Sequence, residues 1–440
     1  MKPEINNKKW INWVLISAFA LLMSFLAFNK HAHSGLYNYR SELWADKSGY
    51  SVYLPFVFEY DMDINNFPDS IDFKTGTGFI LNYSTGKVET RYTYAVALMQ
   101  APFYFLANAF VAENDPNPPG FSKSHHKSVN VAAVFWLVIG LLFLSKFLLL
   151  FYAKRVVLLT SFFILFATNL LNYSIDETGM SHVYSFSLFS MFLYFLKKID
   201  ISYKITILDL VKLTVTASMI VVIRPTNLLF ILAAFFMVFN SWSAFLEKVK
   251  LLINFPKLAF ITLLVFVVFL PQLLYWKYLS GSFINYSYGN IGFNWLHPVP
   301  QITLFSPNNG LLPYTPFFLI ILISMVLMLI KPSLRKEGMV LTSLFILLTY
   351  VLSSWSQPNF GCSFGARSYV EYFSIFSIAF SFLLNQILEK SNAIKLPVFV
   401  ILLGFVYLNI RMTYHFDECF FGTHNWDWTE YWRVISSKIN

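Results

Sequence analysis

The chain has 440 residues, of which 57% are hydrophobic and only 12% charged, with a mean hydropathy of +0.57. Soluble domains carry roughly 25% charged residues, so the composition excludes an ordinary soluble protein; long apolar runs recur along the chain and point to a polytopic membrane protein. The net charge of +9 does not imply nucleic acid, because the basic residues sit in short clusters between apolar runs, where orientation signals belong.

The N-terminus resembles a signal peptide, with Lys8 and Lys9 ahead of an apolar stretch. That stretch is long for a cleaved segment and many more follow, so an uncleaved first anchor is expected. Apolar runs long enough to span lie near 11–28, 131–152, 156–173, 181–196, 205–222, 226–242, 258–276, 314–330, 339–355, 368–387 and 396–412, eleven in all. With the N-terminus in the cytoplasm and alternating spans, the inside loops hold sixteen Lys and Arg residues. The short outside loops after the second span hold three: Arg224, Lys277 and Arg367. This asymmetry sets the orientation. Residues 92–112 are also apolar, but counting them as a span would invert every later loop. They are read as a helix on or dipping into the outer leaflet, broken at Pro102. The expected division is a first anchor over 1–28, an extracytoplasmic loop with interfacial helices over 29–130, a transmembrane body over 131–412 and an extracytoplasmic tail over 413–440. Residues 62–91 and 113–128 read as loop structure.

Four stretches on the outer face carry candidate chemistry. The first runs from Glu42 to Asp61. It sets Asp46, Glu59 and Asp61 among Trp44, Tyr50, Tyr53 and Tyr60. Carboxylates among aromatics behind a membrane anchor suit an acid or base tuned by partial desolvation, with Asp46 as general base on an incoming hydroxyl. The same residues also suit a plain interfacial loop. The second is the turn Asp176–His182, where Glu177 is acidic and His182 enters the next span at its outer end, a functional position by default or an interfacial His bonded to a carbonyl. The third is Arg224-Pro225-Thr226-Asn227, which interrupts an apolar stretch. An arginine at that depth needs a partner; a lipid phosphate matches guanidinium geometry, and snorkelling to headgroups is the alternative. The fourth is 355–369, where Gly361, Ser363 and Gly365 precede Arg367. Such a turn can form an anion nest or a tight turn with a snorkelling arginine. The segment 277–313, with Asn308 and several aromatics, suits sugar recognition or any interface.

Other patterns are weak. There is no P-loop, dinucleotide fingerprint or HExxH. The pairs His31 and His33, and His125 and His126, lack matching ligands for a metal. Cys362 and Cys419 both fall outside in this topology, where a disulfide can form. The tail from His415 to Trp432 reads as an amphipathic cap on the membrane.

Taken together, Ala45–Tyr50 with Tyr53-Leu54-Pro55, Gly179–Phe186, Arg224–Asn227, Leu304–Leu311 and Gly361–Arg367 resemble the GT-C fold membrane glycosyltransferases, in particular the bacterial protein-mannosyltransferase-like group. The resemblance implies an all-α polytopic fold with a long, acidic first outer loop, placed in a bacterial inner membrane with the C-terminus periplasmic. It implies a polyprenyl-phosphate-linked sugar as donor, and inverting transfer to a glycan, lipid or protein acceptor. Asp46 corresponds by position to the family's first-loop acidic residue. Arg224 and Arg367 are then assigned to the donor phosphate, and Tyr50, Tyr53, Glu177, His182 and Asn308 to the substrate cavity. Many members carry an adjacent acidic pair where this chain has Asp46-Lys47, so Glu59 and Asp61 stand as substitute bases. Whether a divalent metal takes part stays open. A transporter or lipid flippase is the alternative, but such proteins place charges near the midplane and show paired repeats, neither of which is seen here. A non-catalytic assembly protein of the same fold is the third reading, with Lys47 as its best argument.

Overall fold

The computed structural model describes residues 4–416 and 427–436, apart from 203, 240–242, 244–245, 248–249, 251–254 and 362. Among the described residues the fold is 69% helical with almost no sheet. It divides into two compact units. The first comprises Met1–Tyr92, Val96–Ile139 and Asn172–Tyr184; the second comprises Thr93–Ala95, Gly140–Leu171 and Ser185–Asn440.

In the first unit the helix Glu4–Lys30 exposes Trp13, Leu21 and Phe25, an apolar surface that hydrocarbon accommodates and water does not. Short helices follow over Asp46–Ser51 and Tyr53–Phe58. The stretch 62–91, expected to be loop, holds a hairpin instead. Phe79–Asn82 pairs antiparallel with Lys87–Thr90, in the register Phe79 opposite Thr90 and Asn82 opposite Lys87. Each strand is four residues long, too short for period-two alternation to stand out. Phe79 and Leu81 nonetheless point inward and Ile80 outward. An aromatic core supports the hairpin: Tyr60 lies 4.2 Å from Phe67 and Phe79 stacks on Phe121 at 6.3 Å. The helix Ala95–Asn108 passes through Pro102, where the sequence suggested a break. A proline there costs one backbone bond, to the carbonyl four residues back. The Trp136 indole donates to the neighbouring Met99 carbonyl at 2.9 Å, so the turn is held from outside the helix. The next helix begins at Lys123, inside the other stretch read as loop.

In the second unit, helix ends follow local chemistry. Thr206 and Asp209 form a reciprocal capping box ahead of Ile207–Ile223. That helix stops at Arg224, which is extended at φ −155° and ψ 115°, because the following Pro225 disfavours a helical residue before it. A single 3₁₀ turn, Pro225–Asn227, leads into Leu228–Val238. The helix Phe373–Leu388 buries Ser374, Ser377 and Ser381. Small residues let helices approach closely without a hydrophobic drive, and Ser381 bonds Thr160 at 3.0 Å. Phe189 stacks on Phe230 at 3.7 Å.

Among the described residues, five helices are long and apolar enough to cross a membrane: Asn12–Lys30, Lys123–Leu148, Phe255–Ser280, Pro332–Ser353 and Asn392–His415. Pro225–Val238, Phe318–Ile330 and Phe373–Leu388 are shorter and apolar. Each of the eleven apolar runs overlaps a helix. The run near 156–173 is split, since Lys154–Phe166 ends before Leu170–Ile175 begins. In the tail, Trp428–Ser436 is helical; Trp426, Cys362 and Cys419, and with them the expected disulfide, lie outside the described residues.

Phe230 is fully buried, so Phe230→Ala should destabilise the protein by about 3 kcal/mol through lost contacts and a cavity. Thermal unfolding in detergent measures this; a variant as stable as wild type would mean the stack carries no packing energy.

Candidate functional site

Asp46 opens the helix Asp46–Ser51. The residue before it, Ala45, has φ 48° and ψ −125°, a conformation that costs a non-glycine residue on the order of 1–3 kcal/mol. Its surroundings over-determine it. The Ala45 amide donates to Thr75 O at 2.8 Å and the Gly49 amide to Ala45 O at 3.1 Å. The Ser48 hydroxyl is placed to donate to Ala45 O at 2.8 Å or Thr75 O at 3.2 Å. Two glycines make this possible. A Cβ on Gly78 would lie 1.7 Å from the Ala45 oxygen, and one on Gly49 would lie 2.3 Å from the Gly78 oxygen. The backbone therefore fixes the direction in which the Asp46 side chain leaves the chain.

Asp46 is half-buried, and the Tyr92 hydroxyl donates to its Oδ1. The Tyr92 ring lies 4.4 Å from Tyr50, and the Tyr53 hydroxyl donates to the Tyr92 carbonyl at 2.6 Å. The Tyr50 hydroxyl reaches Ser181 Oγ at 3.2 Å. Lys47 turns away into a buried ion pair with Glu177 at 3.0 Å. Asp46, Tyr50 and Tyr53 are thus joined through Tyr92, which sequence reasoning missed, and Glu177 is tied to the next residue along. His182 is fully buried, edge-on to Tyr173 at 4.7 Å. The two substitute bases have other surroundings. Glu59 accepts from Tyr104 at 2.9 Å and from Asn108 at 3.3 Å. Asp61 is exposed at φ 51°.

Glu42 was not among the candidates, yet it is buried. It accepts from Asn130 Nδ2 at 2.8 Å and meets His126 Nδ1 at 3.2 Å. Asn130 in turn accepts from Thr178 at 2.7 Å. Burial alone would push the Glu42 carboxyl up. The hydrogen bond with His126 and the charges of His31 and His126 outweigh burial and hold it down at about 2.

Arg224, Arg367 and Asn308 belong to the second unit. Arg224 Nη1 donates to Glu371 Oε1 at 3.1 Å and to Ser368 Oγ at 3.1 Å. Glu371 is fully buried while the Arg224 side chain is 23% exposed. The partner that Arg224 required is thus an internal carboxylate. An acid in an apolar run was the signal for it. Arg367 opens the 3₁₀ turn Arg367–Tyr369. The loop before it is stitched by asparagines: Asn309 Nδ2 donates to Asn359 O and Gly361 O at 2.9 and 2.8 Å, and Asn169 Nδ2 to Phe364 O at 3.1 Å. Asn308 is half-buried beside Ser306, whose hydroxyl accepts its amide at 3.0 Å. Gly365 has φ +67°, and its Cα packs where a Cβ would meet Tyr314 at 2.6 Å, so chain packing accounts for that glycine. Among the described residues, no group of three or more His, Cys, Asp or Glu side chains is placed to hold a metal ion.

No family model, no curated protein and no solved structure matches the chain.

Gly78→Ala should unseat the Asp46 turn and cost about 3 kcal/mol or more. Gly86→Ala is the control: it has φ +67°, but a Cβ added there would meet nothing within 4 Å, so the substitution should cost only about 1 kcal/mol from the backbone conformation. Equal unfolding midpoints for the two would remove the close approach as the cause. Glu42 gives a pH signature. Its folded value lies below its ordinary 4.5, so its stabilisation is fully present above 4.5 and is lost as pH falls through about 2. Unfolding midpoints of wild type should drop across that window, and Glu42→Gln should show a shallower drop from a lower starting point. A parallel decline in both would assign the acid sensitivity to other groups.

Proposed function

We propose that the chain is a membrane glycosyltransferase that moves a sugar from a polyprenyl-phosphate-linked donor to a glycan, lipid or protein acceptor on the outer face of the membrane. In this reading all eleven apolar runs span, the N-terminus is cytoplasmic and the C-terminal tail periplasmic. The observation that carries it is Asp46: a half-buried carboxylate on a strained, glycine-locked turn, held by the Tyr92 hydroxyl. Strain of this kind concentrates at functional sites. Asp46 is also the residue that the resemblance to GT-C enzymes singles out.

The proposed chemistry is a single displacement. Asp46 takes the proton of the acceptor hydroxyl. The acceptor oxygen bonds to the anomeric carbon as the bond from that carbon to the phosphate oxygen breaks. The electron pair leaves with polyprenyl phosphate, and the configuration inverts. The positive charge that stabilises the negative leaving phosphate is assigned to Arg224 and Arg367. The bonds from Arg224 Nη1 to Glu371 and Ser368 hold the guanidinium in one orientation. Glu59 is the weaker substitute base, being already shared between Tyr104 and Asn108. One observation favours the assembly-protein reading: Lys47 stands where an acid is expected and is committed to Glu177.

The test is donor turnover in reconstituted vesicles. A panel of polyprenyl-phosphate sugars is offered with a membrane extract as acceptor source, and release of polyprenyl phosphate is followed. Asp46→Asn should lower release by roughly 10²-fold or more; Lys87→Ala, on the hairpin, should leave it unchanged. Release that survives in Asp46→Asn moves the base to Glu59 or Asp61. Donor binding without release from any sugar supports the assembly protein.

A further inference from the structure

From Tyr278 to Ile330 the chain runs 53 residues without an Asp, Glu, Lys or Arg. Its second half, Phe318–Ile330, is an apolar helix, for which this is ordinary. Its first half is not helical over most of its length and is still uncharged, which is unusual for a loop in water. The loop is rich in exposed apolar side chains: Ile284 is 83% and Leu296 89% exposed, with Phe283, Tyr286, Trp295 and Phe305 also exposed. A water-facing surface of this kind is an interaction site.

The fold fixes the level at which this loop sits. It follows directly on the helix Phe255–Ser280, of which only Gln272 and Tyr275 are buried. At 1.5 Å per residue those 26 residues reach about 39 Å, longer than the roughly 30 Å hydrocarbon core, so the Ser280 end emerges at the headgroups. The loop is then fastened to the end of a second candidate span, Pro332–Ser353. Val299 N donates to Ser353 O at 3.0 Å and Ser356 N to Gly292 O at 3.0 Å. Tyr350 donates to Trp295 O at 2.8 Å. Phe293 stacks on Trp295 at 4.6 Å and meets Trp355 edge-on at 4.8 Å. Both fastenings place the loop at the ends of apolar helices. Aromatic side chains are enriched at that depth.

We propose that the segment Ser280–Phe305 lies in the headgroup–acyl boundary of the bilayer, with Ile284, Trp295 and Leu296 among the acyl chains. The absence of charge selects lipid over a polar partner: a lysine or carboxylate would resist burial at that depth, and none is present. Phe293 and Trp355 brace the loop from the protein side, while Trp295, Ile284 and Leu296 are exposed. This immersion is independent of the transfer chemistry proposed above, and it would hold for any function of the chain.

The test uses the full-length chain in phosphatidylcholine vesicles, with Cys362 and Cys419 replaced by Ser. A nitroxide is placed at Ile284 or Leu296, at Leu263 in the exposed helix face, and at Ser84 in the hairpin turn. Collision with oxygen is compared with collision with a water-soluble nickel chelate. The ratio at 284 and 296 should be several-fold above that at Ser84 and approach that at Leu263. A ratio at the Ser84 level at either position overturns the proposal and leaves an aqueous loop, open to a soluble glycan or protein. A second readout leaves the aliphatic tips unaltered. Native fluorescence should be quenched by lipid brominated high on the acyl chain, and Trp295→Phe should reduce the quenched fraction. An unchanged fraction equally overturns the immersion.

Discussion

The first unit depends on one backbone contact. The Ala45 carbonyl passes so close to Gly78 that no side chain fits between them, and Gly49 receives the Gly78 carbonyl in the same way. Each contact joins a loop residue to the segment leading into the hairpin, so Asp46 is aimed by two strands of chain at once. The left-handed backbone at Ala45 is the cost of that arrangement. The hydrogen bonds from Ala45 N, Gly49 N and Ser48 Oγ offset it, because they satisfy backbone groups that would otherwise be buried unpaired. A side chain on a turn held this way keeps its direction while its neighbours move. That is the property a reacting carboxylate needs.

Charge elsewhere obeys the same economy of pairing. Lys47 meets Glu177, Glu42 meets His126 and Asn130, and Arg224 meets Glu371. Removing one partner of a buried pair strands the other, at about 3–5 kcal/mol. A chain with 12% charged residues has few charges to place, and these three clusters, the first two buried and the third half-buried at Arg224, bridge elements far apart in sequence. Pairing Arg224 with Glu371 fastens the helix break at Pro225 to the turn after Arg367, 147 residues away. The break is therefore a joint with a fixed geometry.

What the sequence discloses divides along the same line. Helices are legible because apolar runs are long and their stops are chemical: Pro225 ends one, and Thr206 with Asp209 begins another. Pairings are not. Nothing local to Arg224 names Glu371, and nothing local to Asp46 names Tyr92, 46 residues on. The hairpin at Phe79–Thr90 escaped because four-residue strands give no measurable period. Pro102 misled for a related reason. A helix tolerates one lost bond when a side chain such as Trp136 holds the turn from elsewhere, and that support is invisible to a local reading.

Lys47 is the residue on which the functional proposal turns. In a chain with an acid at both positions, two carboxylates would share one turn, and like charges at such distance separate their protonation behaviour. Here the second position is occupied by a cation that is already neutralised by Glu177. Asp46 therefore faces neither a competing acid nor an uncompensated lysine at the adjacent position. Single displacement by an acceptor hydroxyl requires one base, so loss of the second acid does not by itself remove the chemistry. What it removes is any role that needed two carboxylates together, such as clamping a divalent cation. On this argument the proposed reaction needs no base beyond Asp46, which the Tyr92 hydroxyl holds in place.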